Sequence, residues 1–194
     1  SAASYWYEIV ALSTQDATVN LPGLFAQSPQ GDSKVAELFE QLGVGTKREG
    51  QTVTLYQTHS CVKHMEYNFV NQPDLAQTFV VTCAMLGVTF RFSGLQSLKI
   101  KETDRMAALI AEMRKLGYVL EESEGSVLSW TGQRCEPQNP PVIDTYEDHR
   151  MAMAFAPTVL REGTLCVRNP QVVSKSYPRF WEDLQKAGFH FTQN

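Results

Sequence analysis

KETDRMAALIAEMRKLG, residues 101–117, is the stretch on which the reading of this chain turns. Met106, Leu109, Ile110, Met113 and Leu116 recur at i, i+3, i+4 and i+7, so the spacing predicts an amphipathic surface helix. Arg114 and Lys115 fall in its last turn, where the helix dipole favours cations, and Gly117 can take the left-handed C-terminal cap. Two other segments share the pattern: VAELFEQLG closes at Gly43 and FWEDLQKAG at Gly188. The three glycines stand 74 and then 71 residues apart, a period that signals an internal repeat.

Each amphipathic segment is preceded by an alternating, strand-like run: TVNLPGL at 18–24, VTFRFSGL at 88–95 and TLCVRNP at 164–170. Before each run lies a segment that is apolar nearly all round, at 2–13, 74–86 and 148–160, and helices of that kind are usually buried. REGQT and SEGSV mark hairpin turns at Gly50 and Gly125, with Val53 and Leu55, then Val127 and Trp130, in the strands that follow. In the third copy Ser176 is the expected N-cap with Pro178 close behind, and Phe180, Trp181, Leu184 and Ala187 form the apolar face. The units run over roughly 1–60, 61–135 and 136–194, the last cut short. No linker-like run divides them, QRCEPQNPP at 133–141 reading as a loop, so one domain over 1–194 is expected. One buried and one exposed helix per copy predicts an α/β domain with its helices inside a ring of sheets.

The composition removes several classes of function. The chain has 194 residues, 43% hydrophobic and 20% charged, with a net charge of −4. An acidic balance argues against nucleic acid as a partner. No apolar run approaches the ~18 residues of a membrane span, and SAASYWYEIVAL lacks the basic start of a secretory signal, so neither membrane nor export is expected. Cys61, Cys83, Cys135 and Cys166 form no CxxC pair and no dense framework, which fits a reducing cytoplasm. His59, Cys61 and His64 make an H-x-C-x-x-H cluster without an evident fourth ligand, and a polar connecting loop is expected there in place of a metal site.

Cations gather late in the acidic chain. Residues 99–115 hold five Lys or Arg against three Asp or Glu, and residues 148–179 hold five against two. A solvated basic face would account for the composition alone. Position sharpens it: Lys101, Glu102, Asp104 and Arg105 lead into one helix, Asp148, His149 and Arg150 open another, Asp74 follows Pro73 at the start of a third, and Lys175 precedes the last. Helix N-termini attract anions, and neighbouring Arg or Lys reinforces that preference, so a multiply anionic small ligand fits. Asp74 and Asp148 also fit a plain N-capping role.

KETDRMAALIAEMRKLG, DTYEDHRMAMAFAPTVL at 144–160, NPQVVSKSYPRFWEDL at 169–184, NQPDLAQ at 71–77 and SAASY at 1–5 together resemble the 5-enolpyruvylshikimate-3-phosphate synthases, in matching order over the whole chain. The resemblance implies the enolpyruvyl transferase fold: inside-out, barrel-like α/β domains built from βαβαββ-type repeats in pseudo-threefold arrangement. It also implies that this chain is the C-terminal part of a two-domain enzyme about twice as long, incompetent without the N-terminal domain. The implied reaction transfers the enolpyruvyl group of phosphoenolpyruvate to the 5-hydroxyl of shikimate 3-phosphate by addition and then loss of phosphate.

Carried over by motif, Arg105 in KETDR and Arg150 in DHR resemble the phosphoenolpyruvate-binding arginines, Lys175 contacts the same substrate, and Lys101 contacts the shikimate phosphate. Asp74 is implied as base for the 5-hydroxyl, Glu102 as proton carrier to the enolpyruvyl carbon, and His149 as a lining residue that tunes the site. Ser97 stands where many relatives carry Asn as a substrate contact. No cofactor is implied, because the leaving phosphate is already activated as an enol ester. Two rivals remain: a UDP-N-acetylglucosamine enolpyruvyl transferase, expected to lack KETDR and DHRMAM, and a non-catalytic phosphoanion-binding module.

Overall fold

The computed structural model describes residues 2–21, 29–101 and 103–193, the side chains of 29–32 excepted. Helix α1 (Ala3–Leu12) is buried along its whole length, because its run of Ala, Tyr, Trp, Ile, Val and Leu leaves no polar face to turn outward. Strand β1 (Thr18–Asn20), helix α2 (Pro29–Glu40) and a hairpin of β2 (Leu42–Glu49) and β3 (Thr52–Cys61) follow. The next stretch runs β4 (His64–Asn68), α3 (Ala76–Leu86), β5 (Thr89–Ser93), α4 (Arg105–Lys115), β6 (Glu121–Ser123) and β7 (Val127–Trp130). The last runs β8 (Val142–Ile143), α5 (His149–Phe155), α6 (Val159–Glu162), β9 (Cys166–Val167) and α7 (Phe180–Lys186).

Three sheets surround the core, with strand orders β1-β3-β2, β4-β5-β7-β6 and β8-β9. Strands β1, β2 and β3 stand in the first sheet as β5, β6 and β7 stand in the second, and the parallel β8-β9 pair repeats the parallel β4-β5 pair. The near-wholly apolar helices α1, α3 and α5 pack against one another at the centre. This is the helices-inside, sheets-outside α/β arrangement that the repeat predicts. Gly50 and Gly125 turn the two hairpins at φ +61° and +66°. No described helix is long and apolar enough to cross a membrane.

Several local expectations need correction. Helix α2 ends at Glu40, short of Gly43, which lies inside β2 where the register with β3 shifts between Leu42 and Val44. Gly43 therefore supplies the left-handed residue of a bulge, at φ +89°, in place of a helix cap. Ser176 does not cap α7: its N–H donates to Val173 O, which makes it part of the preceding turn, and the helix begins at Phe180 without a side-chain cap. The loop expected around His59, Cys61 and His64 is mostly strand, with His59 and Cys61 closing β3 and His64 opening β4. Parallel pairing with β5 sets Met65 opposite Phe90 and buries it, which outweighs the polar flanks. His59 bonds Asp16 at 2.6 Å and His64 bonds Thr89 at 2.8 Å, and no described group of three His, Cys, Asp or Glu side chains gathers to hold a metal. Of TVNLPGL, residues 18–20 form β1, and 22–24 lie outside the described residues.

Gly94 links β5 to the turn that approaches the helix α4 start. It stands at φ +72°, and a Cβ there would meet Asn68 Oδ1 and the Val70 backbone nitrogen 2.6 Å away. Gly94→Ala combines left-handed strain with a backbone clash and is expected to destabilise the chain by about 2–4 kcal/mol, read as a lower urea midpoint.

Candidate active site

Three helix starts converge at one end of the fold. Helix α4 begins with Arg105 under the N-cap Asp104, whose Oδ1 accepts the Ala107 N–H at 3.0 Å. Helix α5 begins under Asp148, whose extended backbone lets Oδ1 accept the Arg150 N–H at 2.9 Å. A 3₁₀ turn, Pro73–Leu75, precedes α3 and carries Asp74, with the proline where a helix has no need of its missing N–H.

The side chains of these starts form one charged cluster. Arg105, only 3% exposed, donates from Nε to Asp148 Oδ2 at 2.7 Å and from Nη2 to Asp148 Oδ1 at 3.4 Å. Its Nη1 donates to Asp74 Oδ1 at 3.2 Å. Arg150 Nη2 lies 3.4 Å from Asp74 Oδ2, and Lys101 Nζ lies 3.9 Å from Asp74 Oδ1. Gln77, in the first turn of α3, donates to Asp148 Oδ2 at 3.3 Å. Tyr5 of α1 lies close to the Arg150 side chain, and burial pushes its phenol up to about 12 against the opposing pull of Arg150, so it stays protonated.

Asp74, Lys101, Arg105 and Arg150 are thus brought together from positions far apart in sequence. His149 is half-buried beside Arg150 at the start of α5. Lys175 is exposed on the turn after Pro170–Val173 and Ser97 half-buried in the 3₁₀ turn Gln96–Ile100; neither joins the cluster. Glu102 lies outside the described residues. Sequence reasoning left Asp148 as a helix cap and missed its grip on Arg105, and it passed over Gln77. The signal available was an acidic N-cap two residues before an arginine in DHR, in a chain whose other cations lead into the same helix starts.

The arrangement has a chemical consequence. Asp148 fixes one edge of the Arg105 guanidinium, while Nη1 faces Asp74 together with Arg150 and Lys101. An entering carboxylate or phosphate competes with Asp74 for those donors, and bidentate arginine suits either.

Comparison with known proteins bears on the family and the fold. The family model described as EPSP synthase (3-phosphoshikimate 1-carboxyvinyltransferase) matches residues 1–184. The 3-phosphoshikimate 1-carboxyvinyltransferase of Bacteroides fragilis is 60% identical over 97% of this chain, which spans 46% of that protein. The chloroplastic protein of the same name from Solanum lycopersicum is 33% identical over 98% of this chain and 37% of its own length. The chain therefore spans about half the length, or less, of these curated relatives. Among solved structures, the EPSP synthase of Acinetobacter baumannii superposes with a TM-score of 0.66 at 19% identity, covering 96% of this chain and 45% of that one. The enolpyruvyl transferase NikO of Streptomyces tendae superposes at 0.56 and 16% identity, covering 96% and 42%. At those identities the superpositions speak for the shared enolpyruvyl transferase fold, and with the sequence match over residues 1–184 the chain belongs to the EPSP synthase family.

Proposed function

We propose that the chain is the C-terminal domain, over residues 1–194, of a cytoplasmic enzyme that transfers the enolpyruvyl group of phosphoenolpyruvate to the 5-hydroxyl of shikimate 3-phosphate. The observation that carries this reading is the cluster itself: an Asp74 carboxylate within 4 Å of Lys101, Arg105 and Arg150. It is a place where an anion already sits and another can replace it.

In this reading Arg105 and Arg150 hold the carboxylate and phosphate of phosphoenolpyruvate, Lys175 closes on the same substrate, and Lys101 and Ser97 contact shikimate 3-phosphate. Asp74 takes the proton of the 5-hydroxyl as its oxygen bonds to C2 of phosphoenolpyruvate, and Glu102 delivers a proton to C3. Loss of phosphate from C2 and of a proton from C3 then regenerates the enol ether. His149 lines the site. The separate N-terminal domain supplies the remaining substrate contacts, so the chain alone binds weakly and does not turn over.

Calorimetric titration with phosphoenolpyruvate, followed by a phosphate-release assay with both substrates, tests the reading. Weak binding without turnover is expected, and Arg150→Ala should weaken binding about tenfold or more, the loss of one charge-assisted contact. Turnover near that of a whole enzyme would refute the half-site account. Binding of inorganic phosphate as tight as that of phosphoenolpyruvate would favour the non-catalytic module.

A further inference from the structure

The loop between β8 and α5 is held in an unfavourable shape. Tyr146 and Glu147 both stand in the left-handed region, at φ +55° and +56°, and the Asp148 N–H donates to Thr145 O at 2.8 Å. Residues 145–148 thus make a tight turn whose two central residues are left-handed, a form that favours Asn-Gly, and here it holds Tyr-Glu. Such conformations persist only where the surroundings impose them, and they gather at sites with a task.

What imposes this one is Glu112. It lies on α4 two helical turns beyond Arg105, hence on the same face, and is buried. Its Oε2 accepts the Tyr146 hydroxyl at 2.7 Å, and its Oε1 accepts the Asp144 N–H at 2.8 Å and Lys115 Nζ at 2.6 Å. Lys115 also donates to Asp144 Oδ2 at 3.1 Å and to Val142 O at 3.0 Å. Helix α4 therefore grips this loop twice: through Glu112 at Asp144 and Tyr146, and through Arg105 at Asp148. The left-handed pair begins at the first grip, on Tyr146, and ends one residue before the second, on Asp148, and its direction sets where Asp148 and Arg150 emerge.

We propose that Glu112 and Tyr146 are positioning residues, which hold the 145–148 turn and through it fix Asp148, Arg105 and Arg150 in the geometry that receives an anion. The proposal rests on the anion-binding reading of the two arginines given above. It assigns to these groups a role exerted through Asp148 and the two arginines.

The test follows the Arg105 Nε–H by NMR in ¹⁵N-labelled chain, because that proton is buried against Asp148 whether or not a ligand binds. In wild type its exchange with water is expected to be slow. Tyr146→Phe should accelerate it about tenfold, the loss of one hydrogen bond to a charged acceptor. Glu147→Gly, added to Tyr146→Phe, should restore slow exchange, since glycine adopts the left-handed turn unaided. Leu55→Ala, a truncation of a fully buried side chain in β3 of the first sheet, serves as the control for instability alone and should leave the Arg105 signal in place. The proposal is overturned if wild-type Nε–H exchanges as fast as that of exposed Arg168, if Tyr146→Phe leaves it protected, or if glycine fails to rescue it. Phosphoenolpyruvate titrated into the same samples separates the two ideas. Protection without binding in wild type overturns the anion assignment alone, whereas binding unchanged in Tyr146→Phe overturns the positioning role.

Discussion

Asp148→Ala is expected to lower the unfolding free energy of the chain by about 3–5 kcal/mol, measured by urea denaturation at neutral pH. The deletion leaves the Arg105 guanidinium, 3% exposed, without the carboxylate that meets two of its nitrogens, and Asp74 alone cannot replace it from the solvent side. It also removes the acceptor of the Arg150 N–H at the α5 start, worth about 1 kcal/mol as a cap. Replacing both members of the pair by apolar residues of similar volume, Asp148→Leu with Arg105→Met, should recover much of the loss, because the penalty lies in a buried charge that has lost its closest carboxylate more than in a missing attraction. That double variant should fold and fail to bind phosphoenolpyruvate. A loss under ~1 kcal/mol for Asp148→Ala, or no recovery in the double variant, would show that Arg105 does not depend on Asp148 as described.

The elements of this fold are legible where local chemistry decides them. Helices α1, α3 and α5 read as buried because no polar face interrupts them, and Gly50 and Gly125 read as hairpin turns because the chain must take positive φ there. Pairing decides the rest and is not local. Gly43 follows an amphipathic run like any helix cap, yet the β2–β3 register claims it for a bulge, and His64 follows polar residues, yet β5 claims it for a strand. Within the site, Asp74, Lys101, Arg105 and Arg150 could be picked out one by one at helix starts, but only the family's motifs joined them into one site, since no spacing along the chain shows that helix starts 31 and 76 residues apart face each other. Asp148 was visible as a cap and invisible as an anchor. An arginine in the first turn of an amphipathic helix reads as exposed, and its burial depends on α5, which arrives 43 residues later.

Glu8 sets the largest expected dependence on pH. It sits in the middle of α1, fully buried, and neither carboxyl oxygen has a hydrogen-bond partner among the described residues. Burial holds its carboxyl well above the usual range, so the folded chain keeps a proton that the unfolded chain gives up once the pH passes 4.5. The sign follows directly. Between the unfolded value and the raised folded one, the native state binds more protons, so each unit of rising pH removes about 1.4 kcal/mol of stability through this residue. Glu8→Gln abolishes that titration; the variant should match wild type near pH 4.5 and surpass it progressively toward neutrality and above. Glu8→Leu should be more stable than wild type throughout, because it also removes a buried polar group with nothing to bond. Urea midpoints for the three chains across that range decide the matter through the difference between wild type and Glu8→Gln, in which the other titrating groups cancel. A difference that does not grow with pH would mean that Glu8 is ionised and solvated in the native state, and α1 would then not be the dry central helix described here.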